Sequence, residues 1–154
     1  MLFVIMLAVA GLALGCNPDM RKHIPGSYLT EIRDYESTCT PGSGPPDGTP
    51  LLVRIDAVSE TTFNFIFATG EEPLVIPNAA VDEDGNFSTT YSQRVPQIYN
   101  EFLYDLTGNV TPDLLTATLT LYILPVPGNG TEPVCFASIT VSGPRCADPC
   151  METN

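Results

Sequence analysis

The side chains able to do chemistry are few. Cysteines stand at 16, 39, 135, 146 and 150 of the 154-residue chain. Zinc sites use thiolates and imidazoles in short-spaced pairs. Here only Cys146 and Cys150 are close, and the single histidine, His23, lies in the run Arg21-Lys22-His23-Ile24-Pro25. No metal site is expected. A dithiol redox centre would need a CxxC pair, and none occurs. Nucleophilic catalysis needs a base beside Ser, Thr or Cys, yet His23 and the only lysine, Lys22, sit together near the N-terminus. Acids such as Asp34, Glu36, Asp56 and Glu60 fall in turns and on solvent faces, where a charged surface is their ordinary use. A calcium loop would place Gly after its third ligand position, with a Glu further on. In Asp82-Glu83-Asp84-Gly85-Asn86 the glycine comes too early and that Glu is missing, so the stretch predicts a hairpin turn. No Gly-rich phosphate loop opens a helix. The expectation is a non-enzymatic chain with no cofactor and no metal.

Charge narrows the partners. Eighteen acidic residues against six basic ones give a net charge of -12 and a pI of about 4.1. Nucleic acid is bound through clustered Lys and Arg, and membrane-surface helices are basic, so neither fits. A hydrophobic fraction of 44% with 16% charged residues argues against disorder.

Residues 1–15, MLFVIMLAVAGLALG, carry no charge and precede Cys16. The run is short for a membrane span, which takes about twenty apolar residues, and suits the core of a secretory signal. Leu12-Ala13-Leu14-Gly15-Cys16 resembles the lipobox of bacterial lipoproteins, an apolar and small-residue stretch ending in cysteine. That resemblance implies a signal cut before Cys16, a diacylglyceryl group on its sulfur and acylation of its new amine. The chain starts Met1-Leu2-Phe3 without the family's basic n-region, and Ala13 stands where Leu is commonest. Asn17, where an Asp would favour inner-membrane retention, implies the outer membrane. Lipidation of Cys16 also accounts for the odd cysteine count. It leaves Cys39, Cys135, Cys146 and Cys150 in a compartment where disulfides persist.

Beyond a tether at 16–25, the pattern is that of strands. Period-two alternation between Gly, Pro, Asn and Asp punctuation predicts strands at 27–38, 51–58, 62–68, 74–81, 86–92, 101–107, 114–124 and 134–142. In the seventh, Leu115, Ala117, Leu119, Leu121 and Ile123 share one face and Thr116, Thr118, Thr120 and Tyr122 the other. Phe63, Phe65 and Phe67 form a stripe expected in the core. Short links at 59–61, 82–85 and 107–113 predict hairpins, with Asp84-Gly85 a strong turn signal. Segments 40–50 and 125–133 are Pro- and Gly-rich loops.

Eight sequential strands predict an all-β, antiparallel up-and-down meander at 26–143, closed or nearly closed into a barrel. A two-sheet β-sandwich is the alternative. The outline is similar to lipocalin-like barrels, with Gly26-Ser27-Tyr28 opening the first strand where lipocalins carry Gly-x-Trp. Closure would lay the first strand beside the last, bringing Cys39 to Cys135. Cys146 and Cys150 would then close a small loop in the C-terminal segment 144–154. Four cysteines allow three pairings, and a Cys39–Cys150 link would count against closure.

The function expected is that of a lipid-anchored envelope protein: a binding module with a small apolar ligand or a protein partner at the mouth loops, 40–50 or 125–133. The alternatives are an acidic interaction or inhibitor protein for a basic envelope partner, and a structural envelope component. Sequons at Asn86, Asn109 and Asn129 fit turn positions whether or not they carry glycans.

Overall fold

Alternating burial builds the strands. The computed structural model describes residues 19–39, 44–94, 101–125, 132–147 and 150. The proposed signal, Cys16 and the Asn129 sequon lie outside them. The strands are β1 (Gly26–Ser37), β2 (Pro50–Ala57), β3 (Thr62–Phe67), β4 (Leu74–Ala80), β5 (Asn86–Arg94), β6 (Glu101–Val110), β7 (Leu114–Leu124) and β8 (Cys135–Cys146). In β3, Phe63, Phe65 and Phe67 are buried while Thr62, Asn64 and Ile66 are half-buried. Branched and aromatic side chains suit such a pleated, half-buried surface.

All eight strands form one antiparallel sheet in the order β4-β3-β2-β1-β8-β7-β6-β5. The first and last strands lie side by side, Ser27 opposite Cys146 and Ser37 opposite Ala137. The fold is therefore a nearly closed meander barrel rather than a two-sheet sandwich. Its interior is packed with Tyr28, Val53, Ile55, the three phenylalanines of β3, Leu106 and Leu115. Outward positions on β7 and β8 are hydroxyls in register: Thr116 with Ser142 at 3.1 Å, Thr118 with Thr140 at 3.2 Å, and Thr120 with Ser138 at 3.0 Å.

Three local features differ from expectation. β6 runs on to Val110, where Thr107-Gly108-Asn109 suggested a turn. A Cβ at Gly108 would collide with the Thr116 carbonyl oxygen of β7 and lie 2.8 Å from Cζ of Phe87, so the glycine lets the β7 backbone and the Phe87 ring approach inside a continuing strand. β8 runs on to Cys146, taking in residues assigned to the C-terminal loop. The tether enters the described structure at Asp19 and is packed there. Met20–His23 form a 3-10 turn capped by Asp19, and Ile24 is fully buried.

Candidate functional site

Connectivity sorts the barrel into two unlike ends. The hairpins at 58–61, 81–85 and 111–113 and the segment from Asp19 gather at one. The tyrosine hydroxyl of Tyr28 lies 2.8 Å from the carbonyl oxygen of Ile24 and 3.0 Å from that of Thr111, sharing its proton between them. Burial pushes the Tyr28 phenol up to about 12. The Arg145 guanidinium donates to the carbonyls of His23 and Pro25, each at 2.6 Å. Arg21 bonds Asp19 at 2.8 Å, which holds that carboxyl below its usual range. The Tyr28 and Arg145 bonds tie the entering segment to the barrel, while Lys22, Glu60, Glu83, Asp84 and Asp113 stay exposed at this end.

At the same end the 82–85 link is a turn held by one carboxylate. Asp82 Oδ1 accepts from the backbone amides of Asp84 at 3.0 Å and Asn86 at 2.8 Å, and Oδ2 from the Asn86 side chain at 3.1 Å. The Asn86 side chain, then its amide, depresses the Asp82 pKa. Gly85 takes φ +82°, a conformation open to glycine at little cost.

The other end carries the long links. There Cys39 is disulfide-bonded to Cys135, with Cα atoms 5.0 Å apart, beside the β1–β8 ladder. Cys146 is bonded to Cys150 at the opposite end. The structure thus places the four cysteines as two structural crosslinks and brings none of them to a reactive centre. Of the two loops expected to rim the mouth, 44–50, 125 and 132–133 fall within the described residues, and both loops rise from this end. Asp34, Glu36, Asp47, Glu71, Glu72 and Glu132 are exposed around it. Arg33 is engaged with Glu31 at 2.8 Å.

The site that sequence reasoning missed lies in the wall. The Asp-Gly turn suggested that β4 and β5 zip together as a hairpin. Among the described residues, one bridge, Val81 to Phe87, joins these two strands, and above it they diverge. The cause lies in β4 and its neighbour β3. Pro77 has no amide to give a ladder, and Asn78 bulges the strand at φ +55°. The bulge is pinned by the Asn78 amide, which donates to Asn64 Oδ1 at 3.0 Å. Pro77 inside an expected strand was the available signal, since proline in a sheet marks an edge.

The resulting cleft, about 370 Å³, is lined by Glu72, Leu74, Val75, Tyr91, Gln93 and Tyr104. The rings of Tyr91 and Tyr104 stack at 6.2 Å with 22° between planes, and Phe102 meets Tyr104 edge-on at 6.5 Å. Burial, then the neighbouring Tyr91, pushes the Tyr104 phenol up. The cleft lining offers aromatic faces, the Gln93 amide, the Glu72 carboxylate and the Thr69 hydroxyl.

The described chain is thus an antiparallel meander barrel, stapled at its β1–β8 seam and parted between β4 and β5. No protein-family model and no curated protein matches it. Among solved structures it is similar to a candidate outer membrane protein of Bacteroides fragilis NCTC 9343, at 16% identity and a TM-score of 0.49. The match covers 81% of this chain and 52% of that one, so the chain spans about half the length of that protein. A likeness at this level is no guide to function.

Proposed function

We propose that the chain is exported, held at the bacterial outer membrane by lipid on Cys16, and acts without enzymatic activity as an interaction module for a basic envelope partner. The observation that carries this reading is a filled interior with exposed carboxylates at both ends, the cations Arg21, Lys22 and Arg145 being gathered at the Asp19 end. The interior is filled by Tyr28, Phe63, Phe65 and Phe67, so recognition falls to the surface. Of the surface sites, the mouth rim and the lateral cleft best suit a basic partner, since the cavity at the Asp19 end is lined by Arg54 and Arg145. Exposed carboxylates surround that rim. Complementary charge of this kind speeds encounter and selects partners.

The anchor and the rim are compatible in space. Cys16 precedes Asp19 by three residues, a reach of roughly 10 Å in extended chain. Lipid on Cys16 would therefore hold the Asp19 end near the bilayer and turn the acidic mouth away from it. Outward hydroxyls such as Thr118, Thr120, Ser138 and Thr140 are the reverse of the apolar band that faces lipid in a membrane-spanning barrel. This favours a tethered barrel over an inserted one.

A second reading, a small apolar ligand at the mouth, is favoured by Leu74, Tyr91, Phe102, Leu121 and Ile139, which are only partly buried against the core. Fractionation and binding separate the readings. Cys16→Ser should move the chain from the membrane to the soluble fraction. A basic partner should be lost as salt rises, whereas an apolar ligand should be retained. Membrane retention of Cys16→Ser would overturn the anchor, and salt-insensitive binding would overturn the acidic docking surface.

A further inference from the structure

We propose that the free edge of β5 takes up an extended, basic segment of a partner protein as an added strand, with the cleft beside it receiving one of that segment's side chains. This rests on the interaction-module reading and names its mode and partner chemistry.

The two edges of the gap are built differently. β5 pairs with β6 at every position from Asn86 opposite Asn109 to Arg94 opposite Glu101, without a break. On its other side, among the described residues, the bridge at Phe87 is the only pairing. Between Ser88 and Gln93 the strand therefore presents the ladder groups of alternate residues, Thr90 and Ser92 among them, to the gap. Such a row is a template for another strand unless a protein blunts it. β4 is blunted by Pro77 and by the bulge at Asn78. β5 is not: Ser88-Thr89-Thr90-Tyr91-Ser92-Gln93 contains no proline, glycine or lysine, and its register is regular.

Specificity in strand addition comes from pockets that take alternate side chains. Tyr91 and Gln93, two residues apart on the inward face of β5, line the cleft with Leu74, Tyr104 and Glu72. An inward residue with an apolar stem and a cationic head fits that lining, the stem on Leu74 and the tyrosine faces and the head toward Glu72. Exposed Glu71 extends the acidic rim at the same link. A second copy of the chain is disfavoured as occupant, because two molecules of charge -12 repel.

The test uses the purified chain and a blocked, alternating Lys–Val peptide of about eight residues, the usual length of a strand or a little more. Amide hydrogen exchange is followed residue by residue. Exchange at Thr90 and Ser92, whose amides face the gap, should slow by about tenfold or more at saturation, with β7 amides unchanged. A twin peptide N-methylated at alternate residues should lose that protection, and a Glu–Val twin should bind at least about tenfold more weakly. Glu72→Gln should weaken Lys–Val binding by about two- to fivefold while leaving the protection pattern in place. Equal binding of the N-methylated twin, or binding with protection elsewhere, would overturn strand addition while leaving the acidic mouth as a docking surface. Failure of every basic peptide to bind would overturn both. Protection of the same amides in the free chain at high concentration would assign the edge to self-association instead.

Discussion

Cys39 and Cys135, separated by 96 positions in sequence, are bonded at the mouth end of the barrel, where the Ser37–Ala137 pair closes the first strand onto the last. The disulfide and the β1–β8 ladder thus make one seam, covalent at its rim and hydrogen-bonded below.

The two crosslinks should differ in weight. Loop-closure entropy gives about 5 kcal/mol for a loop near 100 residues and about 2 kcal/mol for one of four. The paired substitution Cys39→Ser/Cys135→Ser should therefore destabilise by about 3–5 kcal/mol, and Cys146→Ser/Cys150→Ser by no more than about 2 kcal/mol. Urea unfolding of the two variants checks the order. The far-ultraviolet signature of strands should survive in both, because the seam keeps its backbone pairs.

Gly85 is the position where a single methyl should do most harm in a turn. A Cβ there would collide with the Val110 carbonyl oxygen, which belongs to the end of β6, and φ is +82°. The Gly85 carbonyl also accepts from the Val110 amide at 2.9 Å, so a shift would break that bond. Gly85→Ala should cost at least about 2 kcal/mol, read as a lowered thermal midpoint. Acid should loosen the same turn. The Asp82 carboxyl is held below its usual value by Asn86, so its contribution is present above the ordinary carboxyl range and is lost as pH falls through the depressed value.

The strands and the closure were legible because they are written locally. Leu115 to Ile123 alternate with threonines, and Cys39 and Cys135 fall at the two strand ends that closure must bring together. The parting of β4 from β5 was legible only through Pro77, and Asp84-Gly85, which announces a hairpin by itself, outweighed it. What undoes that hairpin is the bulge at Asn78, which depends on Asn64 of the neighbouring strand. The packing of residues 19–25 was hidden for the same reason. Ile24 is buried with the help of Arg145, which reaches His23 and Pro25 from 120 or more positions away. A sequence window of a few residues holds neither relationship. Cys16 lies outside the described residues, and the anchor rests on the lipobox resemblance.

Phe65 and Phe87 should carry the lower end of the open wall. Their rings meet at 4.5 Å with a 43° tilt, from β3 to β5, and both side chains are buried. The contact reaches across β4, so it holds the two sides of the gap where backbone pairing is reduced to one bridge. Phe65→Ala should destabilise by about 3–5 kcal/mol. It should also speed amide exchange at Phe87 and Val81 more than in β7, whereas uniform acceleration would show that the ring serves the core alone.

Alkaline pH should open the same end of the barrel, where the Asp19 segment packs. Tyr28 is fully buried, and its phenol is pushed up to about 12 by that burial, against about 10 when the chain is unfolded. The folded state therefore keeps a proton that the unfolded state gives up. Linkage makes the stability from this group complete below about pH 10 and lost as pH rises toward 12. Across that window the loss should be on the order of 2 kcal/mol. Tyr104, raised in the same direction, adds to the slope. Tyr28→Phe removes the titrating group and its bonds to Ile24 and Thr111, so it should cost about 1–3 kcal/mol at neutral pH while flattening the alkaline loss. Guanidinium unfolding of both proteins at several pH values gives the comparison. Parallel curves for wild type and Tyr28→Phe would show that the alkaline transition belongs to another group.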